Sequence, residues 1–142
     1  MKKTRIISLA FVLVLICVVS VALAADYVTP STMPLGAYTV TIENRISENQ
    51  KNASAKTWAP NPNVGTSVTA TFYWFDTEYD NGDGTYGRFF QQTKTFGNYG
   101  SATVVADTLT GAHKYYYKVI SNHYASYGGE SVSHNGLKTE LR

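Results

Sequence analysis

His113-Lys114-Tyr115-Tyr116-Tyr117-Lys118-Val119-Ile120-Ser121-Asn122 is the stretch that decides the fold. Tyr115, Tyr117 and Val119 alternate with Lys114, Tyr116, Lys118 and Ile120, the period of two that sends successive side chains to opposite faces of a β-strand. One face goes inward, which makes Tyr115 and Tyr117 structural residues. Upstream, Ser67 to Phe75 is β-rich on both faces. Val68, Ala70, Phe72 and Trp74 share one face and Thr69, Thr71, Tyr73 and Phe75 the other, as expected of a central strand with Trp74 in a structural role.

Further strands follow on either side of these two. Tyr86 to Phe96 carries Phe89, Phe90 and Phe96, and Ser101 to Leu109 has Val104 and Val105 at its middle. Nearer the N-terminus, Tyr38, Val40 and Ile42 alternate with Thr39, Thr41 and Glu43, whereas Glu130 to Leu141 is a weaker stretch suited to an edge. Pro30 and Pro34 deny donors to a ladder, so residues 25–36 read as an irregular lead-in. The polar segment 44–66, with Pro60 and Pro62, reads as a long loop pinned to the body by Trp58. No apolar pattern of period 3.6 occurs beyond the N-terminal stretch, so the chain is expected to be all-β, with one antiparallel β-sandwich over residues 37–142.

One local resemblance refines this. Leu109-Thr110-Gly111-Ala112-His113 through Val119, then Ser121-Asn122 and Gly128-Gly129-Glu130-Ser131, resembles the E-to-F turn, F strand and F-to-G loop of fibronectin type III and other immunoglobulin-like domains. That resemblance implies an immunoglobulin-like sandwich in which Tyr115 closes the E-F corner through its hydroxyl. It carries no implication for function. Gly100-Ser101-Ala102-Thr103-Val104-Val105 with Thr110-Gly111 is similar to a stretch of the lactococcin 972 type bacteriocins, which implies a small antibacterial protein as an alternative.

The N-terminus is of a different kind. Lys2, Lys3 and Arg5 precede a predominantly apolar, uncharged stretch of 19 residues, Ile6 to Ala24, which ends in Ala22-Leu23-Ala24. A basic start, an apolar middle and a small-residue end make residues 1–24 a secretion signal helix cut after Ala24. An anchored helix would instead carry a basic stop-transfer flank, and here Asp26 and prolines follow. Ile16 before Cys17 leaves no lipidation site. The product is therefore expected outside the cell or in the envelope of a bacterium, with no membrane attachment after cleavage.

Removing the leader takes three of the 12 basic and none of the 10 acidic residues, leaving a net charge of −1. No basic cluster remains to bind nucleic acid. The sole cysteine leaves as well, so no disulfide assists the fold and the core must supply the stability. All 11 tyrosines lie in the exported part.

Motifs that could carry chemistry are few. In Asp76-Thr77-Glu78-Tyr79-Asp80-Asn81-Gly82-Asp83-Gly84, an EF-hand register puts Tyr79 first and Phe90 twelfth, where carboxylates are required. Asn-Gly and Asp-Gly make the segment a tight turn instead, so no metal site is expected. His113, His123 and His134 read as surface or edge residues, and neither a Gly-x-Ser-x-Gly elbow nor an exported cysteine offers a nucleophile. Neither a catalytic residue nor a cofactor is expected. In the immunoglobulin-like frame, the loop around 76–85 joins strands B and C, which belong to different sheets, and that around 123–129 joins F and G; the two emerge at one end, bringing Tyr79 and Tyr86 towards His123, Tyr124 and Tyr127. Tyr with Gly, Ser and Asn is a composition that binding loops favour. The sequence thus points to a secreted, non-catalytic binding or structural module whose partner is an extracellular protein or a glycan.

Overall fold

In the computed structural model, which describes residues 25–142, eight antiparallel strands form two four-stranded sheets. The expected leader, 1–24, lies outside the described residues. The strands are β1 (Tyr27–Leu35), β2 (Tyr38–Ile46), β3 (Ala53–Trp58), β4 (Gly65–Asp80), β5 (Tyr86–Tyr99), β6 (Ser101–Val105), β7 (Lys114–Tyr127) and β8 (Glu130–Glu140). One sheet has the order β1-β2-β3-β6 and the other β5-β4-β7-β8. The chain crosses between sheets at β3–β4, β5–β6 and β6–β7, so the neighbours β3 and β6 interlock with the neighbours β4 and β7. Among the described residues no helix is long and apolar enough to cross a membrane.

The alternation in β4 sets the interior. Val68, Ala70 and Phe72 are fully buried and meet Ala53, Ala55, Ala102 and Val104 from the opposite sheet. Small alanines on β3 and β6 leave room for the large rings of Phe72 and Tyr116, whose centroids lie 6.3 Å apart. A second apolar group, including Met33, Val40, Ile42, Val64 and Leu137, fills the other end.

A chain of buried polar groups joins the two sheets between these clusters. Asn44 Nδ2 donates to Leu137 O at 2.7 Å, and Ser121 Oγ donates to Asn44 Oδ1 at 2.6 Å. His123 then links Ser121 Oγ, 2.6 Å from its Nε2, to Thr57 Oγ1, 2.8 Å from its Nδ1. Buried polar groups are tolerable when paired in this way.

Three stretches differ from the sequence reading. Residues 27–35, expected to be irregular, form β1, because an edge strand needs ladder donors from alternate residues only and Pro30 and Pro34 share the unpaired parity. Inside the expected loop 44–66 lies β3, whose buried face of Ala53, Ala55 and Thr57 is too small to register as an apolar alternation. Trp58 sits at the end of β3 and is exposed instead of pinning a loop.

The third difference is in β7. Tyr73 pairs with Lys118 but Trp74 pairs with Tyr116, so Tyr117 is an extra residue on the β7 side. Such a bulge slips the alternation by one. Val119 and Tyr116 are both buried, while Tyr115 and Tyr117, expected inward, are only partly covered.

Candidate binding cleft

The turns between β3 and β4, β5 and β6, and β7 and β8 meet at one end of the molecule. On the outward face of the β5-β4-β7-β8 sheet, Tyr99, Gly65 and Ser126 share one rung, and Gly97, Ser67 and Tyr124 share the next. Gly65 leaves the middle of the first rung without a side chain and Gly97 the β5 place of the second, with Tyr99 and Tyr124 standing on either side. An open cleft of about 970 Å³ results, closed at one end by Tyr127, Gly128 and Gly129.

Its walls are braced from below. Ala59 N donates to Gly100 O at 2.8 Å, and Gly100 N donates to Val64 O at 2.7 Å. Gly100 adopts φ +73°, and a Cβ there would stand 3.2 Å from Pro62 Cα, so this junction requires glycine. Asn61 Nδ2 donates to Tyr38 Oη at 2.8 Å, and the Tyr38 ring meets Tyr127 edge to face at 5.3 Å.

Tyr99 is 73% exposed, with Tyr124 and Tyr127 also open to solvent. None of their hydroxyls has a hydrogen-bond partner among the described residues. The lining adds the polar side chains of Asn63, Ser67, Asn98 and Ser126, and among the described residues Glu130 is its sole charged group. Such a surface can stack against a ring and exchange hydrogen bonds with hydroxyl or amide groups.

Of the residues the sequence reading singled out for binding, Tyr124 and Tyr127 line this cleft, whereas Tyr79 and Tyr86 lie at the opposite end. The loop expected to join two sheets is a hairpin between β4 and β5 within one sheet, and antiparallel pairing of β4 with β7 places it beside Lys114. At that hairpin Arg88 Nη1 donates to Tyr79 Oη at 3.1 Å, and its guanidinium lies 5.1 Å from the Tyr79 ring centroid. Tyr86 is exposed there.

His123, expected at the surface, is 1% exposed in the polar seam. Burial, with His134 across the β7-β8 pair, pushes its pKa down to about 4, so the ring is neutral at pH 7. Its Nε2 stands next to Ser121 Oγ, the geometry of a base beside a nucleophile, but both groups are sealed from solvent. His113, by contrast, lies at the surface, 3.3 Å from Glu78 and 3.7 Å from Asp76.

The hydroxyl closure expected of Tyr115 is made by Tyr116, whose Oη donates to Asp107 O at 2.7 Å. Burial and the Asp107 carboxylate raise the Tyr116 hydroxyl to about 12. Trp74 stacks on Phe90 at 5.5 Å and meets Tyr116 edge to face at 6.0 Å. In the hairpin turn, Asp80 accepts from Gly82 N and Asp83 from Thr85 N, and the Thr85 hydrogen bonds hold the Asp83 carboxyl below its ordinary value. The aspartates cap their own turn.

Tyr99, Asn63, Ser67 and Asn98 escaped the sequence reading. The signals were Gly65 and Gly97, each at the border of a β-rich run, where a missing side chain marks a close approach or a dip. No protein-family model matches the chain, and no curated protein matches it at a significant level.

Proposed function

We propose that the chain is a non-catalytic binding module, working outside the cell or in its envelope, and that the cleft between Tyr99, Tyr124 and Tyr127 is its ligand site. The observation that carries this is the combination of three exposed rings with unpaired hydroxyls on a braced, glycine-floored depression. Free tyrosines give contact area at low entropic cost, and a preorganised frame reduces the ordering that binding requires. The one close serine–histidine contact, Ser121 with His123, is buried, which favours binding over catalysis. The basic, apolar start of the chain supports export.

The sandwich itself we read as immunoglobulin-like. In that scheme β2, β3 and β6 correspond to strands A, B and E, β5, β4, β7 and β8 to C′, C, F and G, and β1 is an added edge. Supporting this are the interlocked pairs β3/β6 and β4/β7 and the Tyr116 hydroxyl closing onto Asp107 O near the start of β7.

The test is retention of purified protein on immobilised cell-envelope material from the producing organism. The unaltered protein is expected to be retained and a Tyr99→Ala, Tyr124→Ala double variant to be lost, with the same unfolding midpoint for both. Equal retention of the two would overturn the assignment of the cleft.

A further inference from the structure

The cleft is one end of a longer track along the outward face of β4. Beyond Gly65 and Ser67 that face continues through Thr69, Thr71, Tyr73 and Phe75. Thr69 and Thr95 share a hydrogen bond of 2.8 Å between their hydroxyls, as do Thr71 and Thr93. These two cross-strand pairs set a ladder of hydroxyl and methyl groups along the β4-β5 side of the sheet.

At the far end the rings return. Phe89 lies 4.4 Å from Phe75 and 5.5 Å from Tyr117, and Tyr73 lies 6.4 Å from Tyr117. Phe89 is 67% exposed on top of this group. Ten residues of strand separate the Gly65 rung from the Phe75 rung, roughly 33 Å at about 3.3 Å per residue.

The chemistry of the track narrows its occupant. Lys138 pairs with Glu140 and Lys118 Nζ lies 4.2 Å over the Tyr73 ring, so among the described residues no cluster of unpaired cations flanks the track. An anionic ligand would need free cations in their place. A peptide strand joins a sheet by its edge, and β4 and β7 are interior strands with backbone groups already committed. Recognition here must come from side chains alone, by ring faces at the two ends and hydroxyls between them.

We propose that the ligand is an uncharged polysaccharide chain, gripped in the Tyr99 and Tyr124 cleft and lying along β4 over the threonine ladder to the Phe89 patch. This rests on the binding reading of the cleft and extends it in chemistry and length. Sugar rings offer C–H faces to aromatic planes and hydroxyls to Thr, Ser and Asn, which is the alternation this surface presents.

The experiment is calorimetric titration of the purified protein with cello-, xylo-, manno- and chito-oligosaccharides of graded length, from disaccharide to hexasaccharide. At least one series is expected to bind, with affinity rising through the hexasaccharide. Tyr99→Ala should weaken every length about tenfold or more, the loss typical of a central contact residue. Phe89→Ala and, independently, Thr93→Val should weaken only the longer members. Thr93→Val keeps the β-branched shape while removing the hydroxyl bonded to Thr71, and an unchanged unfolding midpoint in each variant separates a lost contact from a folding effect. Failure of all four series to bind would overturn the carbohydrate assignment. If retention on envelope material still depended on Tyr99 and Tyr124, the cleft would stand with a ligand of another kind. Affinity that stops rising at the disaccharide, or is indifferent to Phe89 and Thr93, would overturn the extended track.

Discussion

The two faces of β7 carry the same kinds of side chain to opposite ends. Inward, Tyr116 and His123 are closed on every side, the phenol by Asp107 O and the imidazole by Ser121 and Thr57. Outward, among the described residues, Tyr124 has no hydrogen-bond partner and Tyr117 meets other rings and Lys118. Residue type therefore does not decide which tyrosine builds the fold and which is free to meet another molecule. Among Tyr115, Tyr116 and Tyr117 the single extra residue at Tyr117 decides it, by moving the alternation one step between Val119 and Tyr116.

Measurements on this strand can break or sharpen that contrast. The largest effect is expected from Tyr116→Ala, which removes a ring wedged between Phe72 and Trp74 and should cost about 3–5 kcal/mol in urea unfolding. A loss under about 1 kcal/mol would mean that the inner face is less closed than described.

Next comes acid. The pKa of His123 in the folded chain is about 4, below the ordinary 6.5, so the fold favours the neutral ring. The unfolded chain binds the additional proton between these values, so the contribution is complete above pH 6.5 and is lost as pH falls towards 4. Up to about 3 kcal/mol should go over that window, because each tenfold difference in proton affinity between the folded and unfolded chain is worth about 1.4 kcal/mol. Unfolding titrations at several pH values should show the slope, and His123→Gln should flatten it.

A smaller effect, about 1–2 kcal/mol, is expected for Tyr116→Phe, which keeps the ring and leaves Asp107 O without its donor. Smallest of all is Tyr124→Ala, where stability should stay within about 0.5 kcal/mol because the ring is exposed and unpartnered. A cost above about 1 kcal/mol there would make Tyr124 a structural residue and remove it from the cleft.

The same contrast explains what the sequence disclosed. Both central strands were legible, because Val68, Ala70 and Phe72 in β4 and the run around Val119 in β7 alternate strongly. Absence of a helical period gave the all-β class. Hidden from that reading were β1, masked by prolines tolerable only on an edge, and β3, whose Ala and Thr are buried for their small size and carry little hydropathy. Missing β3 had a further effect: the turn at 76–85 took the place of a crossing between sheets, and Tyr79 and Tyr86 were sent to the wrong end. Tyr124 and Tyr127 were found through their Gly-rich turn. Tyr99 was not, since its place in the cleft depends on the β4-β5 register that sets Gly65 opposite it. No local pattern marks the bulge at Tyr117, because Tyr115, Tyr116 and Tyr117 are identical in side chain and only cross-strand pairing tells them apart.

The most direct test of this sorting is nitration of tyrosines in the native protein, with each site followed by mass spectrometry. Tyr99 and Tyr124 should be modified readily while Tyr116 stays protected until the protein is unfolded. Modification of Tyr116 at the rate of Tyr124 would contradict the assignment of inner and outer faces on which the fold, the cleft and the track all depend.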